Sequence, residues 1–142
     1  MPRKKKGRVI YEDAPDIKEK ALEIARIVGL NHIKPELLAC LRSKNTSTDA
    51  IARCYGLSRI FQHAFKLSPR YVIEVISEKF DKLNEDEQIK ILIHELLHIP
   101  KNFGGGFRGH DYVNGKTVDK LFRKYKELKN QINNFDGREK DI

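Results

Sequence analysis

The 142-residue sequence predicts a single α+β domain, a small twisted sheet with an N-terminal helix, a central helix and a C-terminal helix. Three observations lead there. The run Tyr71-Val72-Ile73-Glu74-Val75-Ile76 is rich in β-branched residues and bounded by Ser68-Pro69 and by charge, as a strand is. Residues 16–28 and the stretch between Asn84 and Pro100 repeat apolar side chains at helical spacing behind acidic starts. The length fits one domain and leaves no room for a second of ordinary size.

In chain order, residues 1–12 are expected to form a basic tail, 13–132 the domain and 133–142 a polar C-terminal tail. Asp16 with Glu19 three residues on makes a capping-box pattern behind Pro15, so a helix should start there. Ile17, Ala21, Ile24, Ala25 and Val28 give it one apolar stripe, and Gly29 is a natural stop. Residues 33–41 and 50–55 are apolar but short and read as two strands around the polar turn region 44–49, although Glu36-Leu37-Leu38-Ala39 could equally be helical. Residues 57–66 read as a short helix or an irregular excursion. After the strand at 71–76, Asn84 caps a second helix, with Glu87 at the capping-box position and Glu85, Asp86 and Glu87 where the helix dipole favours negative charge. Pro100 ends it. The glycine-rich segment 103–109 cannot hold regular structure and is expected to be a flexible loop. A last helix over about 113–131 turns Val118, Leu121, Phe122, Tyr125, Leu128 and Ile132 inward, and Asn133-Asn134-Phe135-Asp136-Gly137 should break it.

Composition narrows the class. No apolar run approaches the ~18 residues of a membrane helix, and the basic opening is followed only by Val9-Ile10-Tyr11 before acids and Pro15, so neither a span nor a signal core is expected. The protein is read as soluble and cytoplasmic. Cys40 and Cys54, without a C-x-x-C pair, read as buried small hydrophobes. Net charge is 28 − 20 = +8, and Arg3, Lys4, Lys5, Lys6 and Arg8 supply five of the positives with no acid among them. Such a run is a solvated tail or an arm that docks weakly on the phosphates of DNA or RNA. Eighteen lysines, fifteen isoleucines and no tryptophan suit a hyperthermophile, which accounts for surface charge without any nucleic acid.

The chemistry lies in His94-Glu95-Leu96-Leu97-His98. Two histidines four apart on a helix project from one face, so both imidazoles can reach one metal ion, and a glutamate beside the first can act on a water there. With Ile89 at zero on a helical wheel, Leu92, Ile93, Leu96 and Leu97 fall within about 80° of it, whereas His94 and His98 fall near 140° and 180°. The histidines therefore face away from the core stripe. A catalytic zinc takes three protein ligands and keeps a position open, so a third donor is needed. His110, beyond the glycine loop, is the leading candidate, since a reversal would carry it back over the first two; Asp111 and Asp119 are its rivals. His32 and His63 are isolated. Gly115-Lys116-Thr117 imitates the end of a phosphate-binding loop, but the glycine that motif needs five positions earlier is His110.

The run from Tyr71 through His110, with His94-Glu95-Leu96-Leu97-His98-Ile99-Pro100 and then Gly105-Gly106-Phe107-Arg108-Gly109-His110, resembles the metallopeptidases of archaea and phages, and more distantly the SprT-like and Spartan proteases. The resemblance covers about forty residues well and the flanking helices loosely. It implies a zincin fold, His94, His98 and His110 as ligands of Zn2+, and Glu95 as general base in peptide hydrolysis. The chain departs from the SprT group in having Asp111-Tyr112-Val113 after the third histidine and in lacking a cysteine-rich zinc ribbon. Tyr112 or Arg108 is a candidate oxyanion stabiliser, and the strand Tyr71, Val72, Ile73, Glu74 and Val75 a candidate edge on which an extended peptide substrate could pair. Two other classes stay open: a nucleic-acid-binding protein whose metal is structural, and a zinc hydrolase acting on a non-peptide substrate.

Overall fold

The computed structural model describes residues 7–140. Arg3, Lys4, Lys5 and Lys6 of the basic run lie outside the described residues, and Arg8 is exposed. Strands β1 (Ile10–Asp13), β2 (Leu38–Lys44), β3 (Ala52–Gly56) and β4 (Tyr71–Ile76) form one sheet in the order β1-β2-β4-β3. β4 runs parallel to β2 and antiparallel to β3, while β1 is antiparallel to β2. The helices are α1 (Pro15–Val28), α2 (Arg59–Phe65), α3 (Ser77–Phe80), α4 (Glu85–Leu97) and α5 (Gly115–Lys140). No helix among the described residues is long and apolar enough to cross a membrane.

β4 sets the architecture because both its edges are paired. Its alternate residues Tyr71, Ile73 and Val75 point to the face covered by α1 and α4, where they meet Leu38, Cys40, Ala21, Ile24, Leu92, Ile93 and Leu96 in one buried cluster. α5 lies across α1 and α4 and closes the core with Val118 and Tyr125. Tyr125 hydroxyl donates to Glu23 at 2.9 Å and accepts from Lys20 at 2.9 Å, so its polar tip is satisfied where its ring is buried. Among the described residues no helix covers the opposite face of the sheet. There, Glu74 is buried and accepts from Ser43 Oγ at 2.7 Å, Arg53 Nε at 3.0 Å and Tyr55 hydroxyl at 3.0 Å.

Several expectations need correction. α1 starts with Pro15 in its first turn behind Ala14, and no side chain caps it; Asp16 instead meets the Arg42 guanidinium through two bonds of 2.7 and 2.8 Å. A strong bidentate partner on β2 outcompetes a local amide for that carboxylate. β2 begins at Leu38, since Pro35–Leu37 form one 3-10 turn, and it continues to Lys44. Short β1 takes its first three residues from what reads as a tail. All four of its residues are exposed, so its sequence has no apolar alternation to betray it. α5 does not break near Asn133 but continues to Lys140, because a helix already nucleated propagates through a glycine for a cost of only ~1 kcal/mol. Lastly, β4 is central and cannot offer an edge: Tyr71, Val72, Ile73, Glu74 and Val75 are paired to β2 on one side and β3 on the other. The free edge on that side belongs to β3.

Burial alone would raise the Glu74 pKa, but the bonds from Ser43, Tyr55 and Arg53 outweigh it and hold the carboxyl below its ordinary value. A carboxylate whose pKa is depressed on folding contributes stability above its unfolded pKa of about 4.3, and that contribution is lost as pH falls through the folded value. Glu74→Gln is therefore expected to lower stability by about 1–3 kcal/mol at pH 7. Urea unfolding at pH 7 and at about pH 3 should show the gap between variant and wild type shrinking in acid; a constant gap would deny the carboxylate this role.

Candidate metal centre

The site is built from the far side of α4. Asn84 accepts from the Glu87 amide at 2.9 Å and donates to the Glu87 carboxylate at 2.7 Å, the reciprocal cap expected from the sequence. Ile89, Leu92, Ile93 and Leu96 bury the core side of the helix. His94, Glu95 and the cap residue His98 stand on the side that faces β3. That face is also covered: Glu95 and His98 are buried, and His94 is half-buried.

A reversal of the chain brings the third histidine back. After α4 ends, the Arg108 amide donates to the His98 carbonyl at 2.8 Å, and His98 Nδ1–H donates to the Arg108 carbonyl at 2.6 Å. Two bonds thus tie residue 108 to residue 98, and His110 follows two residues later. The intervening loop lacks regular structure, as expected, yet it is pinned along its length. Tyr71 hydroxyl accepts from the Gly105 amide and donates to the Gly106 carbonyl, both at 2.8 Å. Gln62 Nε2 donates to the Gly104 carbonyl at 3.1 Å. Gly105 has φ +94°, and a Cβ there would collide with the Leu57 carbonyl, so the close approach of loop to sheet end needs a glycine.

The ligating atoms of His94, His98 and His110 all lie within 4.8 Å of one another. His94 Nε2 and His98 Nε2 are 3.1 Å apart, and the His98 ring stacks on Phe107 at 4.1 Å and 13°. Because His98 Nδ1 carries the proton given to Arg108, its Nε2 holds the free lone pair. Burial pushes the His94 and His98 pKa values down and the neighbouring imidazoles push the same way; at His98 the bond to the Arg108 carbonyl works against this without reversing it, so both rings favour the neutral form that a metal ligand requires. Glu95 lies 4.0 Å from His94 Nε2; burial raises its pKa to about 7, and its Oε2 has no hydrogen-bond partner among the described residues. Three imidazoles converging beside a carboxylate with one unpartnered oxygen fit a divalent ion of zinc type.

The cleft at this point has a volume of about 380 Å³ and is lined by Ala50, by the β3 residues Ala52 to Tyr55, by Phe107 and by the three histidines with Glu95. Neither Asp111 nor Asp119 joins the histidine group. Arg108 and Tyr112 do not line the cleft: the Arg108 guanidinium sits 3.4 Å from the centre of the Tyr112 ring, outside it. His32 contacts the Ile99 carbonyl at 3.1 Å, and His63 is exposed on α2. Sequence reasoning missed Arg53, Tyr55 and Phe107 at the cleft, and Tyr71 as the anchor of the loop. Only the position of Phe107 between Gly106 and His110 hinted at it; the others depend on strand order.

These elements define a compact α+β domain with a three-histidine candidate metal centre. A family model described as "Putative phage metallopeptidase" matches residues 9–135, and the chain belongs to that family. No curated protein and no solved structure matches the chain.

Tyr71→Phe keeps the ring but removes both loop bonds, leaving a backbone amide and a carbonyl without their partner. The expected cost is about 1–3 kcal/mol in thermal or urea unfolding. Zinc affinity, measured by competition with a chromogenic chelator, should fall about tenfold or more, as for other groups that position ligands indirectly. Unchanged affinity would show that the reversal at His98 suffices without the tyrosine.

Proposed function

We propose that this chain is a zinc-dependent peptidase that hydrolyses peptide bonds, with His94, His98 and His110 holding the ion and Glu95 as general base. The observation that supports it best is the pairing of three converging imidazoles with one buried carboxylate that has no other task. Zinc bound there would supply Lewis acidity to a water and to the scissile carbonyl. Glu95 accepts the proton of the attacking water and passes it to the departing amine. His98, locked by Arg108, presents Nε2 without needing to reorient. Among the described residues no fourth protein ligand closes the set, as a structural zinc would need. The zincin class and the SprT-like proteases, which the motif spacing resembles, fit the same reading.

The substrate would lie along β3. Ile51 carbonyl accepts from Ile76 and Leu57 donates to Arg70, so in this antiparallel pair the odd-numbered residues 51–57 bond inward to β4. Ala52, Cys54 and Gly56 then turn their amides and carbonyls to the free edge, next to the histidines. An extended peptide added there gains main-chain bonds while its scissile bond rests at the cleft.

Purified protein is expected to carry one zinc per chain by plasma mass spectrometry. His110→Ala should lose it and Asp119→Ala should keep it; the opposite pattern would reassign the third ligand. Glu95→Gln should retain both metal and fold while hydrolysis of an unstructured protein substrate falls at least about 100-fold. Turnover near the wild-type rate in that variant, free of contaminating protease, would overturn the mechanism.

A further inference from the structure

The connection between β3 and β4 is far longer than two antiparallel neighbours require, since a few residues suffice for a hairpin. The chain commits residues 57–70 to it, closed at the neck by the Leu57 amide donating to the Arg70 carbonyl at 2.9 Å. Within it, α2 contains no buried residue. Ile60 is 74% exposed, Phe65 65% and Phe61 54%. On a helical wheel Ile60, Ala64, Phe61 and Phe65 fill one arc of about 140°, and Gln62 lies outside it. Gln62 is the one residue of the helix that is partly buried rather than exposed, and it donates to the Leu57 carbonyl at 2.7 Å and the Gly104 carbonyl at 3.1 Å. The helix is fastened by its polar side and turns its apolar side to solvent, the reverse of an ordinary surface helix.

Such a face is well defined in shape. Lys66 takes the left-handed conformation and its amide closes on the Gln62 carbonyl, where Leu67 also bonds at 2.9 Å, so the seven residues are capped. The Phe61 and Phe65 rings stack on each other at 5.8 Å. No acid occurs between Asp49 and Glu74, whereas Arg59, Lys66 and Arg70 surround the helix. Position supplies the remaining constraint: only two residues separate α2 from Gly56, where the free edge of β3 ends. A polypeptide paired along that edge leaves the strand directly toward α2.

We infer that α2 is a docking helix for the protein substrate, taking an apolar, acidic stretch of unfolded polypeptide a few residues to one side of the bond cut at the histidine cluster. The inference rests on the peptidase reading above. Continuity with β3 selects a polypeptide as the occupant. A single strand of nucleic acid would want aromatic faces open on both sides for successive bases, whereas each of these rings gives one face to the other. Seven residues also offer much less apolar area than a helix lying in a membrane surface.

The test uses zinc-loaded full-length protein, the double variant Phe61→Ser/Phe65→Ser, and a fluorescein-labelled 16-residue peptide carrying leucine, phenylalanine and aspartate on both sides of a six-residue centre, compared with the centre alone. Since α2 buries nothing, circular dichroism should show the fold intact. In a Glu95→Gln background, anisotropy is expected to give a Kd for the long peptide at least tenfold weaker in the double variant. In the active protein, the ratio of kcat/KM for the long peptide to that for the short one should fall by a similar factor. Cleavage with an unchanged Kd and ratio overturns the docking helix and leaves the peptidase reading standing. Binding that is lost with the phenylalanines in a protein that cleaves neither peptide supports the docking helix and overturns the peptidase reading. Should the double variant abolish a dimer in sedimentation, or binding to oligo-dT or anionic vesicles, while long-peptide affinity holds, a different occupant covers the face and the inference fails.

Discussion

The two hydrogen bonds between residues 98 and 108 hold the candidate site together. α4 alone can present His94 and His98, because their spacing is a property of the helix, but the third histidine comes from a segment with no secondary structure. The Arg108 amide on the His98 carbonyl and His98 Nδ1–H on the Arg108 carbonyl use one residue to do three things. They satisfy a carbonyl freed at the end of α4, choose the tautomer of His98, and fix where His110 begins. Each bond contributes only about 1 kcal/mol net, so the reversal would be weak in isolation. It is reinforced by anchors further back along the loop, at Tyr71 and Gln62, which belong to β4 and to the β3–β4 excursion. The geometry of the histidine cluster is thus coupled to the sheet through a loop whose apolar burial comes from Ile99 and Phe103.

The same dependence explains what the sequence could and could not convey. α1, β4 and the start of α4 are readable because their signals are local: an apolar stripe at Ile17, Ala21, Ile24 and Val28, a β-branched run, and the Asn84–Glu87 cap. His94, Glu95 and His98 are readable for the same reason, and His110 follows from the need for a third donor together with a loop able to turn. The misses are non-local. Asp16 looks like a cap until Arg42 arrives from β2, twenty-six residues on. β1 exists only because Lys44, Ser43, Arg42 and Leu41 present an edge for it. The position of β4 in the middle of the sheet follows from its pairing with β2 and β3, and its own six residues, with Glu74 set among apolar neighbours, do not reveal which strands will lie beside it.

Strand order then decides which groups reach the cleft. With β4 inside, β3 becomes the edge, and its alternation divides labour between its two kinds of residue. Arg53 and Tyr55 bond inward through the backbone and give their side-chain polar groups to Glu74, whereas Ala52, Cys54 and Gly56 leave their amides and carbonyls free. An exposed edge beside apolar surface is a liability unless something pairs with it or charge keeps neighbours away. Arg53 supplies some charge. The proposed pairing with an extended polypeptide would answer the rest, and it would make the edge useful without any change in the fold.

Glu74 and Glu95 show how environment alone separates a carboxylate that holds structure from one available for chemistry. Both are about 5% exposed, and both sit within elements that pack against β3. Glu74 has a hydroxyl, a guanidinium and a phenol on its two oxygens, which overcome burial and keep it charged. Glu95 has burial with no donor against it, so its pKa rises; Oε2 stands unpartnered among the described residues, and Oε1 lies 4.0 Å from His94 Nε2. An unsatisfied buried polar atom costs roughly 1–3 kcal/mol, which the core formed by α1, α4, α5 and the sheet must offset. A fold with no use for Glu95 would do better with glutamine or an apolar residue at that turn of α4. Its presence beside converging imidazoles is what distinguishes this helix from an ordinary amphipathic one whose second face happens to be covered.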